Sequence, residues 1–231
     1  MRNIKFVVIC ILAVFCCSTV SAQGVKIYKN DNTVIEIPYT ELDSIVAVES
    51  FDTEAAFEFV DMGLSVKWAS MNVGATSPED YGSYFAWGEI EEKSTYTDDN
   101  SMTTGVKMQD IAGNVKYDAA AALLGDGARL PTKAELDELL SNCNVEYKTV
   151  NGIDGRRFVS KKNGNSIFLP ASGIRNDAKI NFLGTFGAYW TSTPKDTELN
   201  NEAFYLDFQP SYTDWNYFNR YHGCSIRAVK K

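Results

Sequence analysis

From Phe59 to the C-terminus the chain is dense in aromatics and glycines, and its apolar residues come in short runs broken by turn residues. That punctuation limits the fold to one assembled mainly from short strands. The runs are Leu64–Ala69, Tyr81–Trp87, Arg156–Ser160, Ser166–Leu169, Ala188–Thr193, Ala203–Phe208 and Cys224–Val229. In Ala203–Phe208 the side chains of Phe204, Leu206 and Phe208 share one face and Tyr205 and Asp207 the other, so one face is expected in the core. Two helices are expected among the strands. Thr132 and Glu135 form a capping box ahead of a stripe of Leu136, Leu139, Leu140 and Cys143, and Asp118–Leu124 is an alanine-rich segment stopped by Gly125. The class is therefore α+β, with strands outnumbering helices. Glu91–Lys116 is polar and aperiodic and reads as a long surface loop, and there is no internal repeat of solenoid or propeller period.

The N-terminus has a separate logic. Residues 1–22 carry Arg2 and Lys5, an apolar run from Phe6 to Cys17 and a small-residue cleavage site at Val20-Ser21-Ala22, the layout of a secretory signal peptide. The run is too short to span a bilayer, and no membrane insertion is expected after cleavage. Cys16 and Cys17 sit where a lipoprotein would be acylated, but Phe15 precedes Cys16 where a lipid box needs a small residue, so lipid anchoring is disfavoured. Removing the leader leaves 20 basic against 30 acidic side chains, which argues against nucleic acid or anionic lipid as partner. Residues 23–50 alternate as a small β element, with strands at Val25–Tyr28, Val34–Ile37 and Ser44–Val48. Residues 51–58 lack alternation and read as a linker to a domain at 59–231.

The leader removed, two cysteines remain, Cys143 and Cys224. Both are expected to point inward, the first on the helical stripe and the second alternating with Ile226 and Ala228 in a terminal strand. In an exported chain they either form a disulfide, worth about 4–5 kcal/mol for a loop of roughly 80 residues, or stay as two buried thiols.

Several segments resemble a known family. Arg129-Leu130-Pro131-Thr132-Lys133-Ala134-Glu135 is similar to the helix start of C-type-lectin-like domains of the sulfatase-modifying-factor type. Phe168–Asn176, Gly184–Thr193, Ala203–Leu206 and Gly223–Val229 resemble, in order, the Fibrobacter succinogenes major paralogous domain, and Val60–Ala69 and Tyr81–Glu89 resemble its Bacteroidota form. The resemblance covers roughly residues 59–231. It implies a C-type-lectin-like domain with short twisted antiparallel sheets, two helices and long loops, the terminal strands paired near the base. It also implies an exported or surface protein, and it brings no catalytic residue with it. The stretch Val25–Val48 likewise looks like the leader module of exported Bacteroidota proteins.

Catalytic chemistry finds little support. His222 is the single histidine, which excludes histidine zinc clusters and leaves one base for any triad; a His222–Cys224 dyad has no evident third group. The sulfatase-modifying chemistry that the resemblance brings to mind uses two reactive cysteines near the C-terminus, where this chain has Cys224 alone. Carboxylates at Glu89, Glu91, Glu92, Glu198, Glu202, Asp207 and Asp214 single out no glycosidase pair. Glu198, Asn200, Asn201, Glu202, Asp214 and Asn216 are oxygen donors suited to calcium, but Trp215-Asn216 is followed by Tyr217 where the lectin pattern has Asp, so no cofactor is expected and calcium is disfavoured.

The remaining feature is the aromatic stretch around Tyr212, Asp214, Trp215, Asn216, Tyr217 and Arg220. Flat rings flanked by amide, carboxylate and guanidinium groups can stack on a sugar or anchor a protein partner; such rings also commonly fill a core. The sequence thus predicts a non-catalytic, secreted, periplasmic or cell-surface adhesion protein that binds a glycan or a surface protein. The competing reading is a structural subunit of a surface appendage.

Overall fold

The computed structural model describes residues 24–28, 34–41 and 57–231. The expected signal segment, the strand at 44–48 and residues 51–56 of the expected linker lie outside the described residues. The chain divides between Phe51 and Asp52 into two units. In the first, β1 (Gly24–Tyr28) and β2 (Val34–Pro38) pair antiparallel from Gly24↔Pro38 to Tyr28↔Val34.

The second unit is mixed and strand-rich, with several small antiparallel sheets and, among the described residues, two α-helices. Its two ends meet: β3 (Phe59–Val60) and β13 (Val229–Lys230) flank β4 (Lys67–Ala69), with Trp68 opposite Val229. Glu58, placed by sequence in the linker, already exchanges hydrogen bonds with Ser70. Helices α1 (Ala119–Leu124) and α2 (Lys133–Asn142) precede a meander of β5 (Cys143–Val150), β6 (Ile153–Ser160) and β7 (Ser166–Pro170). A hairpin of β8 (Ile174–Asn176) and β9 (Lys179–Asn181) leads to a second meander, β10 (Gly187–Pro194), β11 (Glu202–Gln209) and β12 (Tyr212–Asn219).

Local chemistry explains both helix starts. Asp118 caps α1 by accepting from the Ala121 amide at 3.1 Å, while its other oxygen accepts from Gly113 and Leu130; Gly125, at φ 61°, ends the helix. At α2 the Thr132 hydroxyl accepts from the Glu135 amide and the Glu135 carboxylate accepts from the Thr132 amide, the reciprocal box expected. Arg129 grips the same carboxylate with two bonds of 2.8 and 2.6 Å. Burial pushes Glu135 up, but these hydrogen bonds outweigh it and hold the carboxyl below its ordinary range.

The sheet β10–β11–β12 separates two apolar clusters. Trp190 and Tyr205, opposite each other in the ladder, face a cluster with Phe85, Trp87 and Ile226, whereas Tyr189, Leu206 and Phe208 face another with Trp68, Leu136 and Phe158. The expectation of one buried face for Ala203–Phe208 is therefore corrected: β11 is central, and every residue from Ala203 to Phe208 except Phe204 is buried. Gly187 lies opposite Phe208, and a Cβ added there would run into the Phe208 ring. Gly187→Ala is expected to cost about 1–3 kcal/mol by overpacking, read as a lowered midpoint in urea unfolding. An unchanged midpoint would show that the ring can move away freely.

Other expectations change as well. Tyr81–Trp87 makes only a bridge, Phe85 to Cys224, and Cys224–Ala228 is extended but joins its neighbours by single bridges and loop hydrogen bonds rather than as a strand. The 91–116 segment is irregular apart from a 3₁₀ turn at Asp98–Asn100, yet it is not all surface, since Tyr96, Thr103 and Ile111 are buried. Cys143 and Cys224 are buried free thiols in different clusters, which corrects the disulfide alternative. Cys143 caps α2 and opens β5 instead of sitting on the helix. Among the described residues no helix is long and apolar enough to cross a membrane.

Candidate functional site

The aromatic stretch singled out from sequence is strand β12, and a strand sends alternate side chains to opposite faces. The predicted residues consequently divide into two sets. Trp215 and Tyr217 share the face of Phe204 and Leu206; Tyr212, Asp214 and Asn216 share the face of Tyr205 and Asp207. Arg220 belongs to neither. It is 1% exposed, its guanidinium donates to the carbonyls of Glu202, Thr103 and Val106, and it lies 4.5 Å from the Trp87 ring centroid. Burial lowers its pKa to about 10. Arg220 is thus a structural clamp between loops, and its expected role at a ligand is corrected.

On the first face Trp215 and Tyr217 are 38% and 42% exposed. Phe204 meets Trp215 edge to face at 5.5 Å, extending the row onto β11. Lys133, from the first turn of α2, holds its ammonium 3.7 Å from the Trp215 centroid and pairs with Asp137 at 2.8 Å. Lys195 lies over the Tyr217 ring and pairs with Glu202 at 3.3 Å. The result is a solvent-facing aromatic row whose lysines are partly neutralised.

β12 is also the outer strand of its sheet. The backbone amides of Trp215 and Tyr217 donate to the side-chain oxygens of Asp214 and Asn216, at 2.8 and 2.9 Å. Those two side chains occupy donors that an added strand would need.

The second face opens on a cleft. Tyr205 and Tyr212 both donate their hydroxyls to one oxygen of Asp207, at 3.3 and 3.2 Å, and Phe218 packs on Tyr205 and on His222. Burial raises the Asp207 pKa, partly countered by the hydrogen bonds from Tyr212, Tyr205 and Asn216.

Several of the remaining sequence candidates are tied into structure, while Glu91 and Glu198 are exposed. Glu89 pairs with Lys93 at 2.9 Å, Glu92 accepts from Ser83 and the Tyr84 amide, and Asn201 accepts from Thr197. Among the described residues no group of three or more His, Cys, Asp or Glu side chains converges. His222 is buried with its pKa lowered to about 4, which leaves a neutral, weakly basic imidazole at neutral pH, and burial drives the Cys224 thiol well above its usual range, which keeps it protonated. No family model, curated protein or solved structure matches this chain.

Proposed function

We propose that the protein is an exported, non-catalytic binding protein built on a C-type-lectin-like domain, and that it recognises a glycan or a surface protein through the Trp215–Tyr217 face. The observation that carries this reading is the pair of exposed rings two residues apart on one strand, spaced by about 7 Å of backbone. Rings so placed can stack on neighbouring sugar units. Stacking requires Lys133 and Lys195 to swing off the rings, at about 0.5–1 kcal/mol for each exposed cation–π contact, and leaves two ammonium donors beside the ligand's hydroxyls. The signal-like leader supports export. The lectin-like assignment is supported by the pairing of β4 with β13 and by the Arg129–Glu135 helix start. For the appendage-subunit alternative, strand addition at the β12 edge is opposed by Asp214 and Asn216, which occupy the edge amides.

A glycan array probed with calcium and again with chelator tests the proposal, with Trp215→Ala as the control. We expect binding to a discrete glycan set that the Trp215→Ala variant weakens at least about tenfold, the size of a lost stacking anchor. Loss in the chelator arm alone would place the ligand on a metal carried by the acidic loops. Silence across the array would refute glycan recognition and leave a protein partner.

A further inference from the structure

The opposite face of β12 carries a feature that glycan stacking does not use. Between β11, β12 and the 182–186 turn lies a cleft of about 430 Å³, lined by the rings of Phe182, Phe186, Tyr205, Tyr212 and Phe218 together with Asp207. Its size is that of a small-molecule site. Asp207 is only 3% exposed, and a buried carboxylate needs compensation. The two other buried carboxylates among the described residues have it: Glu89 is paired with Lys93, and Asp118 accepts from three backbone amides in a closed setting. Asp207 has two phenolic hydroxyls and the Asn216 side chain, and among the described residues no lysine, arginine or histidine forms an ion pair with it. The residue directly across the ladder is a second acid, Asp214, a like-charge pairing that weakens a sheet unless a cation relieves it.

The rim adds an independent sign. Phe182 sits at φ 59°, a left-handed conformation unfavourable for a bulky residue, and the residue is 68% exposed. The turn is held by the Thr185 and Phe186 amides donating to the Phe182 carbonyl. An aromatic ring is thereby held at the cleft rim in a conformation that carries a cost, its packing being an edge contact with Phe186 at 6.3 Å.

We infer that this cleft is a binding site for a small primary ammonium compound with an apolar or aromatic body, the ammonium paired with Asp207 and the body enclosed by the rings. A carboxylate ringed by aromatic faces is complementary to such a cation in charge and through cation–π attraction. A second cavity of about 430 Å³ beside Glu89 lacks this complementarity, because Lys93 already neutralises its buried acid.

Titration of the purified protein with 2-phenylethylammonium and with its neutral isostere 2-phenylethanol, followed by calorimetry and by amide chemical shifts, tests the inference. We expect saturable ammonium binding that shifts resonances of Phe182 and of Tyr205–Gln209, and binding of the alcohol weaker by about tenfold or more. Asp207→Asn should erase that preference while leaving the alcohol's affinity unchanged. Phe182→Ala, which removes a ring already mostly in solvent, should weaken both probes. Trp215→Ala should weaken neither, so failure of the glycan proposal and failure of this one are read separately. Equal affinity for the two probes, ammonium affinity unchanged by Asp207→Asn, or no saturable binding of either probe would each overturn it. Should Asp207→Asn not fold, the two-probe comparison on the unaltered protein and on Phe182→Ala decides the matter.

Discussion

Replacing Arg227 with alanine is expected to cost about 3–5 kcal/mol, a large part of the 5–15 kcal/mol that holds a typical domain together. Arg227 is 1% exposed, and among the described residues no carboxylate forms an ion pair with it. Its Nε donates to the Asn72 side chain at 3.0 Å, Nη1 to the Ala69 carbonyl at 3.0 Å and Nη2 to the Phe168 carbonyl at 2.8 Å. One side chain next to the C-terminal strand thereby joins β4, the loop after it and β7. Burial lowers its pKa to about 10, so the guanidinium stays charged at neutral pH and the charge is compensated by oxygen dipoles. Truncation would leave three buried acceptors without donors, each a desolvation penalty of about 1–3 kcal/mol, as well as a void. Arg227→Lys should recover only a fraction, because one ammonium on a flexible stem cannot span three acceptors arranged around a planar fork. Thermal unfolding should show a loss on the order of 10 °C for the alanine variant. A loss of only 1–2 °C would mean that water replaces the guanidinium and that β4, the loop after it and β7 do not depend on it.

How much of this was readable in the sequence depended on whether the deciding forces were local. The α2 start was legible because a capping box is complete within four residues, and the end of α1 because Gly125 follows the last apolar residue. Ala203–Phe208 was legible as a strand from its alternation. Its second buried face was not, since that depends on what packs against Tyr205 and Asp207 from far away in the chain. Strand β12 was missed for a related reason. Along Tyr212–Asn219 both faces mix aromatic and polar residues, so no period-2 contrast marks it, and its order comes from eight ladder positions with β11. Reading the stretch as one cluster joined side chains that a strand points apart. Strand β5 did carry a usable signal in the alternation of Cys143, Val145 and Tyr147, hidden because Cys143 also fits the helical stripe of Leu136. The buried roles of Arg220 and Arg227 have no local signature, because their partners, backbone carbonyls and the Asn72 side chain, are supplied by distant segments. The cleft beside Asp207 likewise needed the 182–186 turn and β11 to be seen together.

Lowering the pH from 7 to 5 is expected to destabilise the fold by about 2 kcal/mol through His222 alone. The imidazole is 4% exposed, lies 4.0 Å from the Phe218 ring centroid and 4.2 Å from that of Tyr221, and donates its Nδ1 proton to the Asn219 carbonyl at 3.2 Å. Burial holds its pKa down at about 4, against the upward pull of that hydrogen bond. In the unfolded chain the ring takes a proton near pH 6.5. Between pH 6.5 and 4 the unfolded state therefore binds more protons, so stability falls as pH falls through that window, levelling below pH 4 at a total loss of about 3 kcal/mol. From about pH 8 upward the ring is neutral in both states and contributes no slope. Asp118 and Asp207 act in the opposite sense, because burial raises their pKa and the folded state takes up their protons first. The His222 contribution is isolated by comparing the protein with His222→Phe, which keeps an aromatic ring between Phe218 and Tyr221 and cannot titrate. Urea unfolding at pH 7 and pH 5 should show the unaltered protein losing about 2 kcal/mol more than the variant over that interval. Equal losses would mean that water reaches the ring in the folded state. Since Phe218 lines the cleft and packs on His222, the same protonation is expected to loosen the cleft wall before the chain unfolds globally.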